Sequence, residues 1–177
     1  MMHFDAISAE CLVFTKKEGL LAAIAHDLKI RVTTFSIEVD EATRRIEARF
    51  DATSLRVVTA MQDGVDAPTL SAANKREIEG NIIREVLEAR TYPEVRFVSS
   101  AVEEASGAYR VTGKLRLHGQ QRQIAVRVHR EGDRYIGEAC IHQPDFGIRP
   151  YSAMLGALKV TADVTVRVAV PAPVTTT

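Results

Sequence analysis

The chain has 177 residues, 46% of them apolar and 26% charged, a balance that suits one globular domain with a core of its own. Lys plus Arg number 23 and Asp plus Glu number 23. With no basic excess to neutralise phosphates, nucleic acid is set aside as a partner, and no apolar run is long enough for a stable membrane insertion.

Most of the chain alternates at period two, the signature of half-buried strands. Candidate strands run from Cys11 to Lys16 and from His26 to Val32. Phe35, Ile37 and Val39 then share one face, as do Ile46, Ala48 and Phe50. The polar stretch Glu41 to Arg44 joins these two as a hairpin. Leu55 and Val57 begin another strand. Ala72 to Arg90 breaks the pattern, because Ile78, Ile82 and Val86 recur every four residues with Ile83 and Leu87 beside them. That is a helical period. Asn74 and Glu77 are spaced as a loose capping box, and Gly80 costs about 1 kcal/mol against Ala and can divide the region in two. Tyr92-Pro93 ends the helix.

Val95, Phe97 and Ser99 start the next strand. Tyr109, Val111, Gly113, Leu115 and Leu117 form one face of a longer one, which Gly119-Gln120 turns back into Ile124, Val126 and Val128. Tyr135 to His142 is a weaker candidate, and Val160 to Val170 carries the cleanest alternation. With no repeat and no linker, the chain reads as one domain over 1–170 with a flexible tail over 171–177. Repeated one-faced strands and short turns imply an all-β antiparallel sandwich or barrel.

Chemistry-bearing motifs are sparse. Cys11 and Cys140 sit in apolar runs and are expected as two buried free thiols. His3, His26, His118, His129 and His142 lack metal-ligand spacing, and Cys140 with His142 is the best pair available. His118 and His129 are placed on outward strand faces. No nucleophile elbow, dinucleotide fingerprint or phosphate loop occurs. His26-Asp27 resembles a base and its orienter, but adjacent strand residues point to opposite faces. An enzyme would have to assemble His26, Asp27, Asp145 and Arg149. No cofactor and no metal are expected. The N terminus, MMHFDAISAE, shows no basic segment followed by an apolar run. A cytoplasmic location is the expectation, and a removed leader would leave the same sequence.

Five segments in order carry a resemblance. They are His26 followed by a strand and Phe35; Asn74-Lys75-Arg76-Glu77; Thr91-Tyr92-Pro93-Glu94-Val95-Arg96-Phe97; the run from Tyr109 to Gly119; and Asp145-Phe146-Gly147-Ile148. Together they resemble the YceI-like family of lipid- and polyisoprenoid-binding proteins. Thr34 stands where the family has a glycine, and Val86-Leu87 where it usually has an aromatic pair. The resemblance implies a lipocalin-like antiparallel β-barrel whose helical insertion covers one opening with Ile78, Ile82, Val86 and Leu87. It also implies a non-catalytic carrier or sensor for a polyisoprenoid, quinone or fatty acid derivative, and a possible homodimer. A barrel with a filled core, acting only as an interaction module, is the alternative. Aromatics supply large rigid apolar area, so the expected lining is Phe14, Phe35, Phe50, Phe97, Leu115 and Phe146. Tyr151, Met154 and Leu155 are expected as a plug or a gate, with a polar head group near His26 or Arg149.

Overall fold

The computed structural model describes residues 1–19 and 26–173. Its strands are β1 (Met2–Asp5), β2 (Glu10–Thr15), β3 (Lys17–Glu18), β4 (Asp27–Val32), β5 (Phe35–Asp40), β6 (Arg45–Asp51), β7 (Leu55–Gln62) and β8 (Val65–Ala67). After helix α1 (Ala72–Asn81) come β9 (Glu94–Ala105), β10 (Ala108–Leu117), β11 (Gln120–Glu131), β12 (Arg134–His142), β13 (Ser152–Ala153), β14 (Leu158–Val160) and β15 (Asp163–Pro171). Twelve strands form one sheet in the order β1-β5-β6-β9-β10-β11-β12-β15-β2-β4-β7-β8, and β13, β14 and β3 form a small second sheet. Every pairing is antiparallel. The large sheet is strongly curled, the lipocalin-like arrangement that the alternation and the resemblance imply.

The way the curled sheet meets itself follows from one bent ribbon. β4 pairs with β7, and β5 pairs with β6. β4 runs into β5 through Thr33-Thr34, and β6 runs into β7 through a 3-10 turn at Ala52–Ser54. The four segments are therefore one long hairpin with a corner. The corner is held by the Ser54 carbonyl, which accepts from Thr33 N–H at 3.1 Å, and by the Thr34 carbonyl, which accepts from Asp51 N–H at 3.0 Å. Because β4 lies beside β2 and β6 beside β9, the ribbon ties together the two ends of an eight-position ring.

The N-cap of α1 is Ser71, three residues before the expected Asn74 cap. The Ser71 hydroxyl accepts from Asn74 N–H at 3.1 Å, and the Asn74 side chain accepts from Ser71 N–H at 3.3 Å. Ser71 with Asn74 thus makes the capping box. Past Asn81 the helix widens into a π turn over Ile82–Val86. Two anchors set its position. Val57 N–H, next to the point where β7 slips register against β4, donates to Glu79 Oε1 at 2.8 Å. At the far end Glu88 Oε2 lies 2.8 Å from His118 Nε2, in the β10–β11 turn. The helix therefore bridges from β7 to that turn. Glu79→Ala is expected to lower stability by about 2 kcal/mol, since the Val57 amide loses a charged acceptor. A urea titration with an unchanged midpoint would refute this anchor.

Of the tail, residues 174–177 lie outside the described residues. Pro171 belongs to β15, and Ala172 N–H donates to the Asp133 carbonyl at 2.8 Å. The cysteines part company. Cys11 is buried on the inward face of β2, whereas Cys140 is exposed on the outward face of β12. The apolar run around Cys140 hid its parity, since Ala139 and Ile141 are the inward residues. Burial pushes the Cys11 thiol up to about 12. Folding thus favours the neutral thiol, and this contribution is lost as pH rises from the unfolded value near 9 toward 12. A thiol reagent at neutral pH is expected to label Cys140 quickly and Cys11 only on unfolding. Rapid labelling of both thiols in the native protein would contradict the buried placement.

Candidate ligand-binding cavity

The inward halves of the alternating strands do not meet at the barrel axis. They enclose a cavity of about 1010 Å³, at the top of the usual size range for small-molecule sites. Its wall takes Ile37 and Val39 from β5; Ile46, Ala48 and Phe50 from β6; and Val111, Leu115 and Leu117 from β10. β11 contributes Ile124, Val126 and Val128, and β15 contributes Val164, Val166, Val168 and Val170. Each set keeps the parity read from the sequence, although Gly113 of β10 and Phe35 of β5 do not reach the lining. Ile78, Ile82, Val86 and Leu87 complete the wall from the helical segment, the same four residues expected to face inward.

The two ends of the cavity differ in charge. At the end that holds the β5–β6 and β9–β10 turns, the wall includes Asp40, Glu41, Glu104 and Arg44, with Tyr109 and Tyr135. The two tyrosine rings meet edge-on at 6.2 Å. The Glu104 carboxylate, and next the Tyr135 side chain, hold the Tyr109 phenol above its usual range. The opposite end includes Thr15, Lys17, His26 and Lys159 together with Gln143 and Tyr151. There the Thr15 hydroxyl is shut off from water without a hydrogen-bond partner. A buried hydroxyl left unpaired costs free energy unless something supplies its bond. The apolar wall thus has an acidic mouth and, opposite it, a basic mouth that holds both lysines of the lining, while the carboxylates of Asp51 and Glu77 join the wall from the end of β6 and from α1.

Five of the expected site residues line this cavity: His26, Phe50, Phe97, Leu115 and Tyr151. Six do not. Phe14 lies on the opposite face of β2 from Cys11, Val13 and Thr15, which are the lining residues. Phe35 is buried on the same face as Ile37 but sits at the corner, its ring 5.8 Å from that of Phe50, and does not reach the lining. Phe146 is buried in the core, at the end of a 3-10 turn over Gln143–Phe146 that Gly147 closes at φ 69. Ile148 is the residue of that motif that faces the cavity. Arg149 points to solvent, and Met154 and Leu155 are exposed rather than folded over the opening as a plug. Lys17 and Lys159 were not anticipated. They belong to a two-stranded pairing of β14 with β3, too short for its period to be read.

His118 corrects a further expectation. It sits in the β10–β11 turn at φ 51 with its side chain nearly buried, rather than on an outward strand face. Tyr92 packs against it at 4.5 Å between ring centroids. A Cβ on Gly119 would fall 2.8 Å from the Tyr92 ring. His118 Nδ1 lies 3.2 Å from the Phe146 carbonyl, which can only accept. The T-Y-P, H-G and D-F-G segments therefore meet in one knot that fixes the helix end and the 143–148 turn to the barrel. His118→Ala is expected to cost about 1–2 kcal/mol and to speed amide exchange at Thr91 and Tyr92. Unaltered exchange there would show that the knot does not hold the helix.

The enzyme suspects do not assemble. Asp27 Oδ1 accepts from the Lys17 backbone N–H at 2.8 Å and leaves the adjacent His26 ring without it. No hydrogen bond or ion pair joins His26, Asp145 or Arg149 to one another among the described residues. Among the described residues no three His, Cys, Asp or Glu side chains are grouped as a metal site, and no helix is long and apolar enough to cross a membrane.

A curled antiparallel barrel with a long apolar cavity defines a lipocalin-like fold. The model of the YceI-like domain matches residues 10–172, and the chain belongs to that family. Similar solved structures include BcnA of Burkholderia cenocepacia, at 19% identity and a TM-score of 0.67 over 96% of this chain and 99% of that one. A polyisoprenoid binding domain from Saccharophagus degradans matches at 15% identity and a TM-score of 0.55, covering 93% of this chain and 94% of its own. The YCEI protein of Campylobacter jejuni matches at 15% identity and a TM-score of 0.56, over 84% of this chain and 85% of that one. No protein of curated function matches the chain.

Proposed function

We propose that this protein is a non-catalytic carrier or sensor that holds one long apolar molecule lengthwise in the barrel, with an anionic or hydrogen-bonding head at the basic mouth. The observation that carries this reading is the apolar cavity of about 1010 Å³. A filled-core interaction module would have no such space. Each methylene withdrawn from water contributes about 0.8 kcal/mol before the costs of association, so an acyl or isoprenoid chain needs few polar contacts inside. Those it does need are at hand in Lys17, His26, Lys159 and the unpartnered Thr15 hydroxyl. The relative from Saccharophagus degradans is described as a polyisoprenoid binding domain, which supports the same class of ligand: a polyprenyl lipid, a quinone or a fatty acid derivative.

The test is mass spectrometry of an organic extract from the purified protein, paired with titration of a fluorescent fatty acid. A stoichiometric long-chain molecule, or saturable probe binding, is expected. Phe97→Ala and Leu115→Ala should each remain folded and change the load. If both folded variants carried the same lipid in the same amount as the parent, the cavity would not be the site.

A further inference from the structure

Two bulky apolar side chains stand in water beside the basic mouth. Met154 and Leu155 form the tip of the loop between β13 and β14, and Leu155 is fully exposed. We propose that this tip is a membrane-contact element, which lies against an anionic phospholipid bilayer while the apolar ligand enters or leaves. The inference rests on the cavity reading above.

The backbone presents these side chains outward by design of the loop. Met154, Leu155 and Gly156 follow one another at φ 51, 55 and 87, a left-handed run that is disfavoured for Met and Leu. The run is held at its base. The Met154 carbonyl accepts from Ala157 N–H at 3.1 Å, and Ser152 pairs with Lys159 across β13 and β14. β14 in turn pairs with β3. Gly19, just after β3, lies so close that a Cβ there would fall 2.6 Å from the Ala157 carbonyl oxygen. The tip is thus fixed in an extended position by packing beneath it.

Two further observations point to a bilayer as what it meets. The tip is continuous with the cavity mouth, since Tyr151, Leu158 and Val160 of the same hairpin line the cavity. A chain leaving by this mouth passes the tip, and contact with lipid there spares it exposure to water. The segments that flank the hairpin also carry exposed cations. Lys16, Arg149 and Lys159 are exposed, and no ion pair among the described residues engages their side chains. A Cβ on Gly156 would lie 3.1 Å from Lys159 Cε, which sets that ammonium directly beside the tip. The carboxylate in this small sheet is Glu18, opposite Lys159. An apolar tip with an ammonium beside it suits the interface of a membrane with anionic headgroups.

Flotation with vesicles tests this. The parent protein is expected to float with vesicles of mixed phosphatidylglycerol and phosphatidylcholine, and weakly with phosphatidylcholine alone. Met154→Ser combined with Leu155→Ser should reduce flotation about tenfold or more, and Lys159→Glu should reduce it on the anionic vesicles only. Both changes are on exposed positions and leave the fold intact by circular dichroism. In vesicle-free buffer the double variant should bind a fluorescent fatty acid as the parent does. Loss of that binding would place the two residues in the cavity and overturn the proposal. So would a parent that stays unfloated, or a double variant that floats equally well. A concentration-dependent dimer abolished by the double variant, without flotation of the parent, would make the tip a self-association patch and likewise overturn it. If the parent floats through the tip but binds no fatty acid, it is the cavity reading that fails.

Discussion

Ala139→Phe is expected to weaken binding of a long-chain fluorescent fatty acid by at least about tenfold while the protein stays folded. Ala139 faces the cavity from the middle of β12, between Gly137 and Ile141, and pairs with Val166 of β15. Small residues at Gly137, Ala139 and Ala48 on the wall leave the barrel its width. A phenyl ring projected from Ala139 occupies space that the ligand chain needs, and each displaced methylene forfeits about 0.8 kcal/mol. The ring itself enters an opening of about 1010 Å³, which has the volume to take it. Filling the space should leave thermal stability unchanged or raise it by about 1 kcal/mol. The combination of lost binding and retained stability separates this outcome from simple misfolding. Undiminished affinity in a folded variant would mean that the chain does not pass Ala139.

The wall was legible in the sequence because strand geometry and burial impose the same period. Wherever one polar residue separates two apolar ones, parity decides which side chain faces in. Ile124, Val126 and Val128, and the valines from Val164 to Val170, are on the wall as their spacing requires. Parity fails where the run is apolar throughout. In Cys11-Leu12-Val13-Phe14 both faces are hydrophobic, and only its aromatic ring singles out Phe14. The other face of β2 proved to be the inward one. Leu12, on the same outward face as Phe14, is nonetheless buried, so the outside of the barrel is itself covered there and offers the sequence no polar signal.

Aromatic character was the weaker guide for a physical reason. A large ring serves equally well as a ligand contact or as the peg that locks a turn. Phe146 is nearly inaccessible because it anchors the 143–148 turn, and Phe35 supports Phe50 at the corner of the bent ribbon. Both corner and turn are tertiary features with no period of their own. The basic mouth was half legible. His26 stood out as a lone imidazole at a strand start, whereas Lys17 and Lys159 gain meaning only when β3 and β14 come together. Similarly, the apolar Met154-Leu155 pair was visible in the sequence, but only the run of left-handed residues shows that it turns outward.

Gly113→Val is expected to destabilise the protein by about 3 kcal/mol, which corresponds to a melting temperature lower by roughly 6–12 °C at this chain length. Gly113 has the inward parity of Val111 and Leu115, yet it is not on the cavity wall. Here β10 slips register against β9, so that Thr112 faces Ala101 and Gly113 faces Ser99. The slip brings β9 close. A Cβ on Gly113 would stand 2.5 Å from Phe97 Cζ and 2.5 Å from the Val98 carbonyl oxygen. The Phe97 ring therefore rests directly over the bare glycine, and its position in the cavity depends on that absence of a side chain. A valine must expel the ring and also push the β9 backbone, which the adjoining ladder holds rigid. Combining Gly113→Val with Phe97→Ala should recover about 1 kcal/mol of the sum of the single losses, because the ring clash then disappears. The carbonyl contact remains, so recovery is partial. Strict additivity in the double-mutant cycle would show that Phe97 does not rest on Gly113, and would remove the structural reason for placing its ring in the ligand's path.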